Sequence, residues 1–352
     1  MDLFKVMAKE GHEQLIVTTD SETGLNAIIS IHSTLLGPAL GGCRFWSYKT
    51  FEEAATDALR LSKAMTYKAA ISGLNLGGGK AVICGGPQEK TPALLRAFGR
   101  SVDSLAGLYI TAQDVGMTLS DLETIREVTR YAAGIPEEKG GSGDPSSMTA
   151  RGVVHGMRCC LKEIFGSDSF RDRTVAVQGL GKVGRLLVGL LHREGARLIV
   201  SDLDASKVKA VVAEVKAETL PPARIHTAAC DIFAPCAMGG VLHSTTISKL
   251  RCRIVAGAAN NPLASWADAN LLQRRRILYA PDYVINAGGL INIACETEGY
   301  QKEKAEERVA GIAENLSRVF ARAKEEKITP LEAANRLAEE RLAKARAGRS
   351  GG

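Results

Sequence analysis

A run of three glycines followed directly by a lysine is the feature of this chain that is best suited to chemistry. Residues 74–81 read Leu-Asn-Leu-Gly-Gly-Gly-Lys-Ala, so Lys80 follows a stretch of backbone that no side chain covers. Glycine lets a ligand approach the backbone closely and lets the chain turn where other residues resist. Twelve residues earlier Lys68 adds a second cation, and Asp114 adds a carboxylate. These groups predict a site for a small anionic substrate that exchanges protons.

A second glycine cluster follows a buried-strand pattern. Residues 173–178 lead straight into Gly-Leu-Gly-Lys-Val-Gly, and helical spacing follows. A strand, this glycine spacing and a helix together are typical of a dinucleotide-binding turn, in which the helix N-terminus faces the pyrophosphate. Asp202 ends the next strand, where such folds place the acid that holds the adenosine ribose. The predicted cofactor-binding residues are Gly179, Leu180, Gly181, Lys182, Val183, Gly184 and Asp202.

Each of these residues has its own expected task. Gly179 should permit the tight turn, Gly181 the approach of the phosphates, and Gly184 the close packing of helix on strand. The charge of Asp202 would repel a 2′-phosphate and so favours NAD, although Lys207 softens the selection against NADP.

A framework of strands and helices must bring these residues together. Apolar runs predict strands over 14–17, 26–31, 81–84 and 108–111, and helical spacing marks 51–70 and 92–105. A polar, glycine-rich stretch over 134–147 predicts a hinge or a domain boundary. Beyond it a strict alternation of strand and helix begins at Thr174, and residues 303–347 read as packed helices.

Composition and charge fit a globular α/β protein of two domains. The 352 residues are 45% hydrophobic and 24% charged, which is more chain than one core comfortably holds. The net charge of +6 is scattered along the chain, so we expect no nucleic-acid partner. No segment reads as a signal peptide or membrane span, so we expect a cytoplasmic protein without a membrane partner. The eight cysteines form no Cys-x-x-Cys pair, and we expect no metal site.

Five motifs, in the same order along the chain, resemble those of the amino acid dehydrogenases. They are Gly-Pro-Ala-Leu-Gly-Gly at 37–42 with Arg44, Met-Thr-Tyr-Lys at 65–68, Leu-Asn-Leu-Gly-Gly-Gly-Lys at 74–80, Asp-Val-Gly at 114–116 and Asn-Ala-Gly-Gly at 286–289. The branch is that of the leucine, valine and phenylalanine dehydrogenases, which is related to glutamate dehydrogenase. An ordered set of this kind is far more specific than any single motif.

The resemblance implies an α/β fold of two domains that close over the substrate. Residues 1–145 would form an N-terminal α/β domain that binds substrate and carries the catalytic groups. Residues 146–325 would form a Rossmann domain that binds NAD, and residues 326–352 a C-terminal helix that packs back on the first domain. The resemblance also implies a homo-oligomer.

The resemblance assigns roles to particular residues by matching motif. Lys80 would be the catalytic lysine, Asp114 its proton-transfer partner, and Lys68 the ligand of the substrate carboxylate. The other residues that it places around the substrate are Leu40, Gly41, Gly42, Met65, Ala112, Asn260, Asn261, Leu290 and Ile293. Those that it adds to the cofactor site are Thr149, Ala234, Pro235, Asn260 and Asn286. Gln113 departs from the family pattern, because leucine enzymes commonly have an acid there.

These roles fit NAD-dependent oxidative deamination of an L-amino acid to a 2-oxo acid and ammonia. Hydride loss from the α-carbon leaves an iminium ion that water attacks, and a lysine can serve as base when burial and positive neighbours favour its neutral form. Apolar residues at the pocket positions predict a branched aliphatic substrate, and an aromatic one, phenylalanine or tryptophan, is the alternative. A hydroxy-acid dehydrogenase would need a His or Tyr acid in the cleft, and a non-enzymatic NAD-binding protein would lack a catalytic residue.

Overall fold

The computed structural model describes residues 2–350, which fold into two compact units. The first unit contains the chain up to Asp144, the segment Ile293–Lys302 and the chain from Ala338 onward. The second contains Pro145–Asn292 and Glu303–Leu337. The domain bounds predicted from the sequence did not include the return of the segment Ile293–Lys302 to the first unit.

The first unit is built on a mixed sheet. Its helices and strands up to Asp144 are α1 (Leu3–Glu10), β1 (Gln14–Asp20), β2 (Leu25–Ser33), β3 (Ala39–Trp46), α2 (Phe51–Ile71), β4 (Gly77–Cys84), α3 (Pro92–Asp103), β5 (Tyr109–Gln113) and α4 (Leu119–Arg126). Within the described residues the sheet has five strands in the order β1-β2-β4-β3-β5. Strand β2 pairs antiparallel with β1 and β4, and β3 pairs parallel with β4 and β5.

Helices cover both faces of this sheet. One face packs against α3 and α4, with Phe98, Leu122 and Ile125 fully buried. The other face packs against α2, whose alanines near its N-terminus lie on Ile28 and Val82. The hydroxyl of Thr50 accepts a hydrogen bond from the amide of Glu53 and so caps the start of α2. Further along α2 this face becomes polar, where Ser30 hydrogen-bonds Ser62 and His32 hydrogen-bonds Thr66.

The three glycines before Lys80 lie in strand β4, which therefore begins four residues before the strand predicted over 81–84. A Cβ atom at Gly78 would lie 2.1 Å from the amide nitrogen of Thr66, and one at Gly79 would lie 2.6 Å from the ring of Tyr109. The glycines therefore allow α2 and β5 to approach the strand closely. Strand β3 was also missed, because Gly41 and Gly42 weakened its apolar pattern.

The second unit has a parallel sheet flanked by helices. Its elements up to Ala294 are α5 (Ser146–Phe165), β6 (Thr174–Gln178), α6 (Lys182–Arg193), β7 (Arg197–Ser201), α7 (Ala205–Glu214), β8 (Ala217–Thr219), β9 (Ile232–Pro235), α8 (Ser244–Ile247), β10 (Ile254–Val255), α9 (Ala267–Arg274), β11 (Leu278–Tyr279), α10 (Asp282–Ile285) and α11 (Gly288–Ala294). Over the described chain, six strands lie in the order β11-β10-β9-β6-β7-β8, and every pairing is parallel. This is the Rossmann-like sheet expected from the sequence.

Three helices complete the described chain: α12 (Lys302–Ala310), α13 (Ile312–Glu326) and α14 (Pro330–Ser350). From Ala338 onward α14 belongs to the first unit, where the Arg341 guanidinium donates to the carbonyl of Ala70 at 2.9 Å and to Asn75 Oδ1 at 3.0 Å. The expected return of the C-terminal helix to the first domain is confirmed. Across residues 2–350, none of the helices combines the length and apolar character needed to cross a membrane.

Candidate active site

Lys80 projects from β4 onto the sheet face that α2 covers. Because side chains alternate along a strand, Gly78, Lys80 and Val82 share that face. The strand register places Ser30 of β2 on one side of Lys80, and β3 runs along its other side. Lys80 is only 6% exposed. A lysine this deeply buried needs a partner for its charge.

Asp114 is that partner. It follows the last residue of β5, and its Oδ2 accepts a hydrogen bond from the Lys80 ammonium. Burial raises the pKa of the Asp114 carboxyl, but the positive charges of Lys80 and Arg44 outweigh burial and hold that pKa below its ordinary value. Lys80 and the ionised Asp114 carboxylate are therefore in direct contact, as proton transfer between them requires.

The sequence marked Arg44 as part of a motif but gave it no role, and it did not single out the other groups behind Asp114. Arg44, on β3, has its Nε 3.4 Å from Asp114 Oδ2 and its Nη1 2.6 Å from Asp57 Oδ2. Tyr48 donates to the same Asp57 oxygen at 2.7 Å, and Arg60 donates to the other at 2.9 Å. Strand alternation could have placed Arg44 on the face of Gly42, two residues earlier, but β3 itself was not predicted.

Lys68 and Met65 lie on α2, which crosses the strand at the glycines. Thr66, between them in sequence, lies against Gly78, and both Lys68 and Met65 are half-buried. Lys68 is in the last turn of α2, where a cation is favoured by the helix dipole. The structure places Lys68 and Lys80 in the same unit and on elements that pack together.

The remaining predicted substrate residues of the sheet fall on two different faces. Leu40 pairs with Gly78, and Gly42 pairs with Ala112, so these side-chain positions share the Lys80 face. Gly41 is on the opposite face, where a Cβ would lie 1.6 Å from the carbonyl oxygen of Gly79. Gly41 is thus a packing position, and only its backbone is open to the predicted substrate role.

Gln113 has a structural partner of its own. Its amide donates to the carbonyl oxygen of Met117 at 2.9 Å. This bond fastens the turn that follows β5 and carries Asp114. Gln113 therefore supports the backbone next to the candidate catalytic carboxylate.

The glycine turn of the second unit has the geometry of a dinucleotide site. Gly179 has φ +97°, a left-handed conformation that favours glycine. A Cβ at Gly184 would lie 2.0 Å from the Gly179 carbonyl oxygen, whereas one at Gly181 would meet no atom within 4 Å. Helix α6 begins after Gly181 without a side-chain cap. Space over Gly181 and uncapped helix amides suit a pyrophosphate.

Asp202 follows β7 and faces the same turn. Its Oδ2 accepts a hydrogen bond from the amide of Leu180 at 2.6 Å, and its Oδ1 accepts one from the amide of Asp204 at 2.8 Å. Next to the turn, Ala234 and Pro235 end β9, and Cys236 donates its amide to the carbonyl of Gln178 at 2.7 Å. The predicted cofactor residues Asp202, Ala234 and Pro235 therefore lie at the carboxyl ends of the two strands that flank β6.

The predicted asparagines form a small network in the second unit. Asn286, which is 4% exposed, donates its amide to Asn260 Oδ1 at 2.9 Å and to the carbonyl of Ala258 at 3.2 Å. Asn261 has φ +49°, and its backbone amide donates to Asp282 Oδ2 at 2.7 Å. The structure therefore brings Asn260 and Asn286 together and uses Asn261 in a turn.

Thr149 and Leu290 lie where α5 and α11 meet. The Thr149 hydroxyl donates to the carbonyl of Pro145 at 2.9 Å, and a Cβ at Gly289 would lie 2.7 Å from that hydroxyl oxygen. Leu290 is 7% exposed on the same helix as Gly289. Close packing at Gly289 thus fixes Thr149 and Leu290 within the second unit.

Ile293 belongs to the first unit. Three residues after it, Glu296 has a structural role that the sequence did not predict. Glu296 accepts hydrogen bonds from the amide of Gly134 at 2.9 Å and from the amide of Ser142 at 2.6 Å. It therefore holds the start and the middle of the glycine-rich stretch 134–147. Its partners are more than 150 residues away in sequence, so only the folded chain shows the contact. Among the described residues, no group of three potential ligands is placed to hold a metal ion.

A buried lysine–aspartate pair in one unit and a dinucleotide turn in the other define an oxidoreductase of the amino acid dehydrogenase class. Residues 12–131 match the dimerisation domain of the Glu/Leu/Phe/Val dehydrogenases, and residues 140–209 and 200–350 match the Glutamate/Leucine/Phenylalanine/Valine dehydrogenase domain. The chain belongs to this family.

Similar proteins with different substrates in their names cover nearly the whole chain. Leucine dehydrogenase of Thermoactinomyces intermedius is 50% identical over 99% of this chain and 96% of its own length. Valine dehydrogenase of Streptomyces albus is 46% identical over 96% of this chain and 94% of its own. The crystal structure of L-tryptophan dehydrogenase from Nostoc punctiforme matches with a TM-score of 0.85 at 44% identity, over 97% of this chain and 99% of that one. The chain is an amino acid dehydrogenase whose substrate the likeness alone does not decide.

Proposed function

We propose that this chain catalyses the NAD-dependent oxidative deamination of branched aliphatic L-amino acids, and the reverse reductive amination of the 2-oxo acids. The observation that carries the proposal is the Lys80–Asp114 pair, which shares a sheet face with Gly42 of β3 and Gly78 of β4. A buried amine in contact with a carboxylate can hold and pass on the proton that the amino acid must lose. The 50% identity to a leucine dehydrogenase supports the substrate class.

The mechanism assigns one task to each charged residue of the first unit. Lys68 would bind the substrate carboxylate, and it lies in the last turn of α2, the helix whose Thr66 lies against Gly78. Lys80 would take the proton from the water that attacks the iminium carbon, and Asp114 would relay that proton. Because Lys80 and Asp114 are already in contact, no rearrangement of the pair is required before the transfer.

The second unit would hold NAD, which when bound supplies the acceptor for the hydride of the α-carbon. The open space over Gly181 and the uncapped start of α6 fit the pyrophosphate, and the Asp202 carboxylate fits the ribose. Asn260 and Asn286 would orient the nicotinamide end. A carboxylate at position 202 would disfavour the 2′-phosphate of NADP by repulsion.

Apolar residues support an uncharged substrate side chain. Leu40 and Ala112 flank the glycines of the Lys80 face, and both are buried. A substrate with a second charge would need a partner at these positions, and burying it without one is costly. The 44% identity to a tryptophan dehydrogenase favours an aromatic substrate as the second candidate. Because residues 12–131 match a dimerisation domain, we also propose that the enzyme is a homo-oligomer.

A survey of amino acids tests the proposal directly. The purified chain is mixed with NAD or NADP and with leucine, valine, isoleucine, phenylalanine, tryptophan or glutamate, and NADH or NADPH absorbance is followed. We expect the highest kcat/KM for the branched aliphatic substrates with NAD. Differences among them should be graded, because one methylene is worth about 1–3 kcal/mol. Glutamate should be a poor substrate.

The catalytic pair is tested in the same assay. Lys80→Ala and Asp114→Asn should each abolish or severely reduce turnover, while NADH binding, measured by fluorescence titration, stays within about threefold because the cofactor residues lie in the other unit. A Lys80 variant with more than about a tenth of wild-type activity would remove Lys80 from the catalytic role. A tenfold advantage of an aromatic substrate over both leucine and valine would establish the second candidate, and NAD binding without turnover of any substrate would indicate a binding protein.

A further inference from the structure

The candidate catalytic carboxylate has two cations on one oxygen. Asp114 Oδ2 accepts a hydrogen bond from Lys80, and the same oxygen lies 3.4 Å from Arg44 Nε. That Nε is buried and makes no hydrogen bond of good geometry, so the contact is one of charge and not of a formed hydrogen bond. Arg44 therefore acts on Asp114 through its charge and does not displace the hydrogen bond from Lys80.

Arg44 is itself held from behind by a second carboxylate. Its Nη1 lies 2.6 Å from Asp57 Oδ2, and Tyr48 donates to that oxygen at 2.7 Å. Arg60 binds the other oxygen of Asp57 at 2.9 Å, although its side chain is 54% exposed. The Arg44 charge is thus divided between Asp57 on α2 and Asp114 at the end of β5.

We infer that Arg44 is a positioning residue that keeps Asp114 ionised when Lys80 gives up its proton, and that Asp57 sets how strongly it does so. The inference rests on the proposed function, in which Lys80 acts as the base. As long as Lys80 is an ammonium, it balances Asp114. Once Lys80 is neutral, Arg44 is the cation left beside that carboxylate. Without Arg44 the Lys80–Asp114 pair would release its shared proton only at a higher pH.

Other titratable groups near Asp114 do not change this balance. The Cys43 thiol on β3 and the Tyr109 phenol on β5 both lie close enough to sense its charge. Burial raises the pKa of each, so both stay neutral near pH 7. On α4, Asp121 is paired with Lys90 at 2.6 Å. Lys80 and Arg44 are the cations that lower the pKa of the Asp114 carboxyl against the effect of its burial.

Groups around Asp57 favour its ionised form. Burial raises the pKa of the Asp57 carboxyl, but the hydrogen bonds from Tyr48 and Arg60 and the charge of Arg44 hold it below the ordinary value. Burial and the bond to Asp57 raise the pKa of Tyr48, so the phenol remains a donor. Asp57 is therefore a full negative charge against Arg44 throughout the working pH range.

The test is the pH dependence of kcat/KM for leucine deamination with NAD. Arg44→Gln removes the cation beside Asp114, so the acidic limb of the profile should move to higher pH by about one unit. Asp57→Asn removes the negative charge that partly neutralises Arg44. Arg44 then acts more strongly on Asp114, so the acidic limb should move to lower pH. Arg60→Gln is the matched control, because Arg60 touches Asp57 from the solvent side, and its limb should stay close to that of the wild type.

Opposite shifts of Arg44→Gln and Asp57→Asn would support the inference, since loss of structure alone gives no reason for opposite signs. Shifts of the same sign, or lower kcat with an unmoved limb, would overturn it. Should Arg44→Gln fail to fold, the sign for Asp57→Asn decides, and a shift to higher pH or none overturns the inference. A wild-type protein without NAD-linked turnover would overturn the proposed function and the inference together, whereas an active wild type with unmoved variants overturns the inference alone.

Discussion

Asp202 combines a structural contact with a predicted contact to the cofactor. One carboxylate oxygen already accepts the amide of Leu180 within the glycine turn, and the other accepts the amide of Asp204. An ionised acceptor suits these amides, and the same charge would hold ribose hydroxyls. Because Asp202 has both tasks, removing its side chain and neutralising its charge should have different effects on cofactor binding.

Substitutions of Asp202 should separate these tasks. Asp202→Ala should weaken NAD binding by about 1–2 kcal/mol, because ribose bonds and the support of the turn are both lost. Asp202→Asn keeps an acceptor oxygen but not the charge, so it should narrow the preference for NAD over NADP with a smaller loss of NAD affinity. Isothermal titration with both cofactors measures each change.

The matched control for these variants is Asp204→Ala. Asp204 caps the start of α7 by accepting the amide of Ser206 at 2.9 Å, so its removal should lower stability by about 1 kcal/mol and leave cofactor preference alone. If Asp202→Asn binds NAD and NADP as the wild type does, the ribose contact belongs to another residue.

At the residue scale, the sequence was informative where spacing is local. The glycine spacing and the acid after the next strand identified the turn, and the contact between Lys80 and Asp114 was anticipated from matched motifs. Their roles stay predictions until tested. Asp57 and Glu296 escaped notice because their partners come from other elements, and Glu296 contacts a loop that lies 162 residues earlier. No periodicity in a single sequence encodes such a contact.

At the scale of elements, glycine content misled the prediction of strands. Near Lys80, glycine usually indicates a turn, yet here it allows the backbone of α2 to lie against β4. The same cause hid β3, where Gly41 and Gly42 replace the apolar residues that mark a buried strand. Strand prediction from sequence depends on apolar side chains, so it fails where the fold requires a position without a side chain.

The two glycines of the dinucleotide turn should respond differently to an added methyl group. A Cβ at Gly181 would meet no protein atom, so Gly181→Ala should fold with wild-type stability but lose at least tenfold in NADH affinity, because the methyl group would occupy the predicted place of the pyrophosphate. Gly184→Ala places its Cβ 2.0 Å from the Gly179 carbonyl oxygen, so it should lower stability by about 1–3 kcal/mol.

Urea unfolding and NADH titration of both variants distinguish these effects. Gly189→Ala is the control on the same helix, because its Cβ would meet only the Arg193 guanidinium, at 3.8 Å, and alanine favours a helix over glycine. It should be as stable as the wild type or more so, with unchanged NADH binding. Wild-type affinity in Gly181→Ala would show that the pyrophosphate does not approach this glycine.

At the scale of the whole molecule, the first unit buries several polar and charged groups. The first unit buries Lys80 with Asp114, and it also buries a polar layer between β2 and α2. In that layer Ser30 bonds Ser62 at 2.9 Å, and His32 bonds Thr66 at 2.8 Å. Buried groups of this kind tie the stability of a unit to their protonation. The composition of the chain predicted neither the Lys80–Asp114 pair nor this polar layer, since both depend on strand register.

His32 is held in its neutral form by its surroundings. Its Nε2 lies 3.1 Å from the carbonyl oxygen of Glu10, which can only accept, so Nε2 carries the proton and Nδ1 accepts from the Thr66 hydroxyl. Burial and the neighbouring His12 ring, 4.7 Å away, lower the pKa of His32 to about 4. Burial also lowers the pKa of His12.

Acid should therefore weaken the fold well before the carboxylates titrate. With a pKa near 6.5 when unfolded and about 4 when folded, His32 binds a proton first in the unfolded chain. Stability should be constant above the unfolded pKa and fall as the pH drops from about 6.5 towards 4, by up to about 3 kcal/mol at 1.36 kcal/mol per unit. Free energies of unfolding in urea, measured across this range, give the slope. His32→Gln should be less stable at neutral pH but should lose much of the slope, whereas His192→Gln, at an exposed position on α6, should keep it. A wild-type slope in His32→Gln would assign the acid sensitivity to other groups and show that protonated His32 is tolerated between β2 and α2.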